Sequence, residues 1–366
     1  MLVVHIIPSL AFAGAEIVLL NLVKTRPVNE ECIVITLLPS DSKVISEFSA
    51  AKTKVIEINF IRLGYIKGLI LLIKKIKTLK PEIIHTWLAS ANIIGGILRL
   101  LGLGDAHIWS FHASKTPEKI SSKLSERVCI LLSFILPKAI VYPSDISRSF
   151  YENNCISKSK SVVIHNGIDL QRFRPQPDER NKYRTLLIND RNLFLIGIIA
   201  RWHSDKDYIT LLKAISILKD NGSMCHLVCV GPEIDNDNQQ LSSIINCLKL
   251  KSHVTLLGPR DDIPEIMNAL DLLVCSSVTE AFGVSVVEAM ACGTPALVTD
   301  CGFPPYLVQD SKFVVPIGDP LAMASSISMI ISSGVSNDLK VRCINRSSVF
   351  SNIEMTRKYY SLYAAL

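Results

Sequence analysis

Two carboxylates near the C-terminal end of the chain, Glu280 and Glu288, stand with seven residues between them. The stretch that holds them runs Thr279-Glu280-Ala281-Phe282-Gly283-Val284-Ser285-Val286-Val287-Glu288-Ala289-Met290-Ala291-Cys292-Gly293-Thr294-Pro295. An apolar run before it, Leu272-Leu273-Val274-Cys275, reads as a buried parallel strand. Gly283 frees the backbone where a helix begins, and Gly293 with Pro295 stops that helix. Glu280 then falls in the loop before the helix, and Glu288 lies about two turns later at about 3.6 residues per turn. The unpaired N–H groups at the helix start, around Gly283, Val284 and Ser285, suit a phosphate. A carboxylate in the loop can accept hydrogen bonds from sugar hydroxyls. A second one further on can take the vicinal hydroxyls of a ribose. Such charged acceptors contribute about 1.5–3 kcal/mol per bond. A helix capped by Glu280, with Glu288 as a solvated surface charge, has the same spacing, so the pair alone does not decide the matter.

Two cations stand in a similar place. Ile198-Ile199-Ala200 ends a strand, and Arg201 and Lys206 follow in the loop Arg201-Trp202-His203-Ser204-Asp205-Lys206. Positive side chains at that position can neutralise the charge developing on a departing diphosphate. In the N-terminal half, His85 and His112 each lie at a strand end and could polarise a hydroxyl or a phosphate. His85 serves equally as a buried structural histidine. Gly14, in the loop after the first strand, would let the backbone approach a ligand, while Glu16 suits the start of a helix. Gly231-Pro232, Gly258-Pro259 and Asp300-Cys301-Gly302 mark further strand-end turns.

The elements that must position these residues follow from the hydrophobic pattern. Short apolar runs, from Leu2–Ile7 to Ala296–Thr299, alternate with helical stretches along the whole chain, which predicts parallel sheets with helices on both faces. At 366 residues two domains are expected. The polar, proline-bearing stretch 171–179 reads as their linker. The expected division is residues 1–175, residues 176–349, and a C-terminal helix over 350–366 that could pack back on the first domain. Ligands of such sheets bind outside the carboxyl ends of the strands.

No apolar run reaches the length of a membrane span. The first residues imitate a signal peptide but lack a positive n-region, and Pro8 interrupts the run. With ten scattered cysteines and no C-x2-C pair, reduced core thiols are expected. The net charge of +6 fits an anionic substrate or membrane surface and does not by itself indicate nucleic acid. The stretch Tyr65–Lys80 is both apolar and basic; it can lie on an anionic membrane, or face the core with its lysines solvated.

Taken whole, Glu280-Ala281-Phe282-Gly283 followed by Glu288-Ala289-Met290-Ala291-Cys292-Gly293-Thr294-Pro295 resembles the E-x7-E signature of the retaining glycosyltransferases of family 4. The likeness extends over nearly the whole chain and is sharpest from Leu193 to Pro316. It implies the GT-B fold, an α/β architecture of two Rossmann-like domains facing a cleft. The C-terminal domain would bind a nucleotide-sugar donor, with UDP as the expected nucleotide, and the N-terminal one the acceptor. Arg201 and Lys206 resemble the family's Arg-x4-Lys pair at the donor diphosphate. His112 resembles its active-site histidine, and Gly14 its glycine-rich first loop, with Ala13 where a glycine often stands. Glu280, Phe282, Gly283, Val284, Ser285, Glu288 and Gly231 would complete the donor site. No metal or other cofactor is implied. The expected setting is cytoplasmic assembly of a bacterial surface polysaccharide such as O-antigen, with a lipid-linked glycan acceptor and peripheral contact with the inner membrane. The rivals are a GT-B nucleotide-sugar epimerase acting without acceptor and a non-catalytic sugar-binding protein. A Rossmann dehydrogenase is disfavoured because no G-x-G-x-x-G follows the first strand.

Overall fold

The computed structural model describes the chain apart from Phe12, Ala13, residues 116–119, Asn189 and Arg191, and the side chains of Ile120 and Ser121. The unusual Ala13 therefore lies outside the described residues. The chain divides into two compact units: Met1–Gly167 with Asn352–Leu366, and Ile168–Ser351.

The first unit is a seven-stranded parallel sheet of β1 (Leu2–Ile7), β2 (Glu31–Thr36), β3 (Lys54–Glu57), β4 (Ile83–Trp87), β5 (Ala106–Ser110), β6 (Ala139–Tyr142) and β7 (Ser161–Val163). The spatial order is β3-β2-β1-β4-β5-β6-β7. Its strands are near-continuous apolar runs because helices cover both faces. On one face Val3, Ile7, Trp87 and Ile108 pack with Met355, Tyr359 and Tyr363 of the C-terminal helix Asn352–Ala364. On the other, Val4, Ile6, Ile35 and Ile84 pack with Phe60, Leu72 and Ile76.

The second unit holds β8 (Phe194–Ile199), β9 (Cys225–Val230), β10 (Val254–Leu256), β11 (Leu272–Cys275), β12 (Ala296–Thr299) and β13 (Val314–Val315). They form a parallel sheet in the order β10-β9-β8-β11-β12-β13. The order reverses between β8 and β11, which pair Leu272 with Ile196 and Leu273 with Gly197. In a doubly wound sheet this switch point opens a crevice at the carboxyl ends of the two strands. The loops leaving β8 and β11 are the ones that carry Arg201, Lys206 and Glu280.

The stretch 171–179 is not an open linker. Phe173 is buried in the core of the second unit, and Asp169 Oδ1 accepts from the backbone N–H groups of Gln171 and Arg172. Pro177 begins a helix, Pro177–Leu187, rather than breaking the chain. A proline is tolerated in the first helical turn because its missing N–H is not needed there. That helix is fastened by Arg180 and Arg184, which hold the two oxygens of Asp271 at 2.5 and 2.8 Å. The change of unit falls ahead of the stretch, at Gly167. The ten cysteines are free thiols, eight of them buried. Among the described residues no helix is long and apolar enough to cross a membrane.

Candidate active site

Lys206 and Glu280 meet. The Lys206 ammonium lies 2.5 Å from Glu280 Oε2, with both side chains mostly withdrawn from solvent. Backbone contacts hold the two loops against each other. Val278 N–H donates to Asp205 O at 2.8 Å, and the Ser276 hydroxyl donates to Lys206 O at 2.7 Å. The Ser277 hydroxyl donates to Glu280 Oε2 at 3.3 Å. Burial pulls the Lys206 pKa down, but the charge and hydrogen bond of Glu280 more than offset this and leave it raised. Lys206 therefore stays a cation beside Glu280. Arg201, at the start of the same loop, is exposed. Trp202 turns inward, its ring 5.4 Å from that of Tyr208, so its bulk is accounted for by packing. Asp207, in the left-handed region, ends the turn and caps the next helix through Thr210.

Two glycines fix this geometry. A Cβ on Gly231 would lie 2.1 Å from Ala200 O and 3.1 Å from Arg201 N, so only glycine lets the end of β9 pass the root of the cation loop. Gly302 has φ +58°, and its Cβ would lie 2.0 Å from Glu280 O. Phe303 N–H donates to that same carbonyl at 3.2 Å. The turn after β12 is thus what seats Glu280. We expect Gly302→Ala to lose at least 1–3 kcal/mol, roughly the cost of a strained backbone conformation, and to lose activity in parallel, measured by thermal unfolding and turnover. Unchanged values would mean that the loop can shift without consequence.

Gly283, at φ +96°, precedes the helix Val284–Ala291, whose start has no side-chain cap. Val284 and Ser285 are half-buried there. Phe282, expected beside a donor, turns its ring away. It is buried, stacked on Phe303 at 5.3 Å and edge-on to Phe350 at 5.6 Å, and so anchors the loop to the core. Glu288 is half-buried on the same helix. Burial pushes its carboxyl up to about 8, with the Arg172 charge acting in the opposite direction. A concavity of about 490 Å³ in this unit is lined by Arg172, Arg174, Asp261 and Glu265 among others, and by none of the expected site residues.

In the first unit the two histidines separate. His85 is fully buried, with Nδ1 2.7 Å from the Tyr363 hydroxyl and Nε2 2.7 Å from that of Ser110. Both nitrogens are engaged, so it is a structural residue. His112 Nε2 is buried and has no hydrogen-bond partner among the described residues, and burial lowers its imidazole to about 4. Its ring stacks on Trp87 at 5.2 Å and 15°, while His85 stacks on the same indole at 4.6 Å and 28°. Trp87 Nε1–H donates to His5 Nδ1 at 3.2 Å. Gly14 begins the first helix with open space around it: an added Cβ would meet nothing within 4 Å. The fold itself does not require a glycine there. Glu16 is buried in that first turn.

Residues 12–172 match the family model described as Glycosyltransferase Family 4, and residues 179–348 the model described as Glycosyl transferases group 1. The chain belongs to glycosyltransferase family 4. This glycosyltransferase is 26% identical over 312 residues to the UDP-Gal:alpha-D-GlcNAc-diphosphoundecaprenol alpha-1,3-galactosyltransferase of Escherichia coli, covering 81% of this chain and 79% of that one. It is 30% identical over 175 residues to an N,N'-diacetylbacillosaminyl-diphospho-undecaprenol alpha-1,3-N-acetylgalactosaminyltransferase of Campylobacter jejuni, covering 46% and 44% of the two chains. Among solved structures it superposes on Anabaena HepE in complex with UDP with a TM-score of 0.86 at 21% identity, over 100% of both chains. The fold is accordingly GT-B.

Proposed function

We propose that this glycosyltransferase moves a hexosyl or N-acetylhexosaminyl group from a UDP-sugar to a hydroxyl of a lipid-diphosphate-linked glycan, with retention of anomeric configuration. The observation that carries the reading is the Lys206–Glu280 pair at the switch point of the second sheet. A cation for a diphosphate and a carboxylate for sugar hydroxyls stand within one hydrogen bond of each other, next to an uncapped helix start. The uridine nucleotide is supported by the UDP in the HepE crystals and by the donor in the E. coli relative's name. The lipid-linked acceptor is supported by the acceptors that the two bacterial relatives are named for.

In this reading Glu280 accepts hydrogen bonds from the donor sugar and Glu288 from the ribose. Arg201, Lys206 and the N–H groups of Gly283, Val284 and Ser285 meet the diphosphate. The bond between the anomeric carbon and the diphosphate oxygen breaks as the acceptor oxygen bonds to the same face of that carbon. The acceptor's proton leaves on the departing diphosphate. Charge on the leaving group is met by side chains, so turnover should survive a chelator. His112, with its free ring nitrogen, is assigned to a hydroxyl of donor or acceptor. The enzyme would work in the cytoplasm, on an acceptor held at a membrane surface.

The test is to incubate the protein with a UDP-sugar and a short-chain diphospholipid glycan and read the product by NMR. The reading predicts an extended glycan whose new linkage has the donor's anomeric configuration. A changed nucleotide-sugar formed without acceptor would favour an epimerase, and an inverted linkage would remove the front-face mechanism.

A further inference from the structure

The helix Tyr65–Leu79 of the first unit buries Gly68, Leu72 and Ile76. Its opposite side should then be polar. Instead Tyr65 and Ile66 are 79% and 77% exposed, Ile61 in the short helix before it is 74% exposed, and Ile70 and Leu71 are about half exposed. Lys67, Lys74 and Lys77 are exposed along the same helix, and no Asp or Glu occurs between Glu57 and Glu82. The topology gives this surface a direction. The short helix Phe60–Leu63 follows β3, and Phe60 N–H donates to Leu37 O just beyond the end of β2. Its apolar residues therefore lie at the carboxyl edge of the sheet, the edge from which the Gly14 and His112 loops also leave. The long helix then runs back toward the amino edge, where Lys74 and Lys77 lie.

An apolar tip with cations behind it, on a stretch that carries no acidic residue of its own, fits one kind of partner, an anionic bilayer. Apolar side chains enter the boundary between headgroups and acyl chains, and lysines stay among the headgroups. A second copy of the chain fits poorly, because a two-fold contact would set this cationic face against itself. We propose that the surface formed by Ile61, Tyr65, Ile66, Ile70 and the lysines of the following turns docks on an anionic lipid bilayer. The proposal rests on the reading of the acceptor as lipid-linked and names the part of the chain that meets the membrane.

Full-length protein would be sedimented with vesicles of phosphatidylcholine alone or mixed with phosphatidylglycerol. Three double variants would be compared, each checked by thermal unfolding: I66S/I70S, K74E/K77E and L131S/F134S. The last changes exposed apolar residues outside the proposed surface. Wild type should bind the anionic vesicles and not the neutral ones, the first two variants should bind at least tenfold less, and the third should bind like wild type. All should retain transfer to a water-soluble short-chain acceptor. Failure of wild type in that soluble assay would count against the acceptor reading and leave the vesicle result to be judged separately. Equal binding to neutral vesicles would overturn the proposal. So would wild-type binding by the first two variants, loss of binding in the third alone, or a wild-type dimer that I66S/I70S dissociates.

Discussion

Replacing Lys206 with alanine is expected to lower kcat by about 100- to 1000-fold, the usual effect of removing one preorganised charge from a transition state, with little change in the acceptor KM. The Lys206 ammonium touches Glu280 Oε2, so the substitution also leaves a mostly buried carboxylate without its cation. That should cost about 1–3 kcal/mol of stability. Thermal unfolding therefore has to be read beside the kinetics. In wild type the stabilisation from this pair is complete below the ordinary lysine pKa, because the folded value is raised, and it is lost only as the pH climbs through that raised value. Near-normal turnover in a folded Lys206→Ala protein would remove Lys206 from the chemistry.

The second large effect concerns pH. The Glu288 carboxyl is raised to about 8, chiefly by burial, so near neutral pH the free protein holds it mostly protonated. A carboxyl raised on folding costs stability as the pH rises above its unfolded value, and the cost grows until the folded pKa is reached. Donor binding should reverse the preference, because ribose hydroxyls donate to the ionised form. UDP-sugar affinity should then tighten by about ten- to fiftyfold from pH 6 to pH 8, the span over which such a group ionises, with a proton released on binding. An esterified diphosphate keeps its charge across that window, so the slope reports on the protein. Titration calorimetry in two buffers measures both quantities. Glu288→Gln should bind with no pH slope. The same slope in that variant, or a flat wild type, would take Glu288 away from the ribose.

The candidate site of the second unit was legible in the sequence because its parts are local. Arg201 and Lys206 share one loop, Glu280 and Glu288 one loop and helix, and each loop leaves a strand that its apolar run makes obvious. The meeting of Lys206 with Glu280 follows from the sheet order, since β8 and β11 are neighbours at the switch point. What stayed hidden depends on distant partners. Gly302 looked like an ordinary turn; only its approach to the Glu280 carbonyl shows that it seats the site. Phe282 sits inside the signature, yet its ring belongs to the core because Phe303 and Phe350 come to meet it. The indole of Trp87, stacked on His85 and on His112 and bonded to His5, draws on residues from two strands and a loop. No spacing rule could assemble it. The stretch 171–179 misled because proline and polar residues begin helices as readily as they fill linkers.

The loops after β8 and β11, with the helix that carries Glu288, form the proposed donor seat. Thermal unfolding of the wild-type protein and Glu288→Ala, each with UDP, with GDP and with neither, tests it most directly. At a hundredfold excess over its dissociation constant a bound nucleotide adds about 2.7 kcal/mol. UDP should stabilise the wild type by about that much, GDP far less, and Glu288→Ala should lose the effect while remaining folded. Stabilisation by UDP that is undiminished in Glu288→Ala, or no stabilisation of the wild type by either nucleotide, would contradict it.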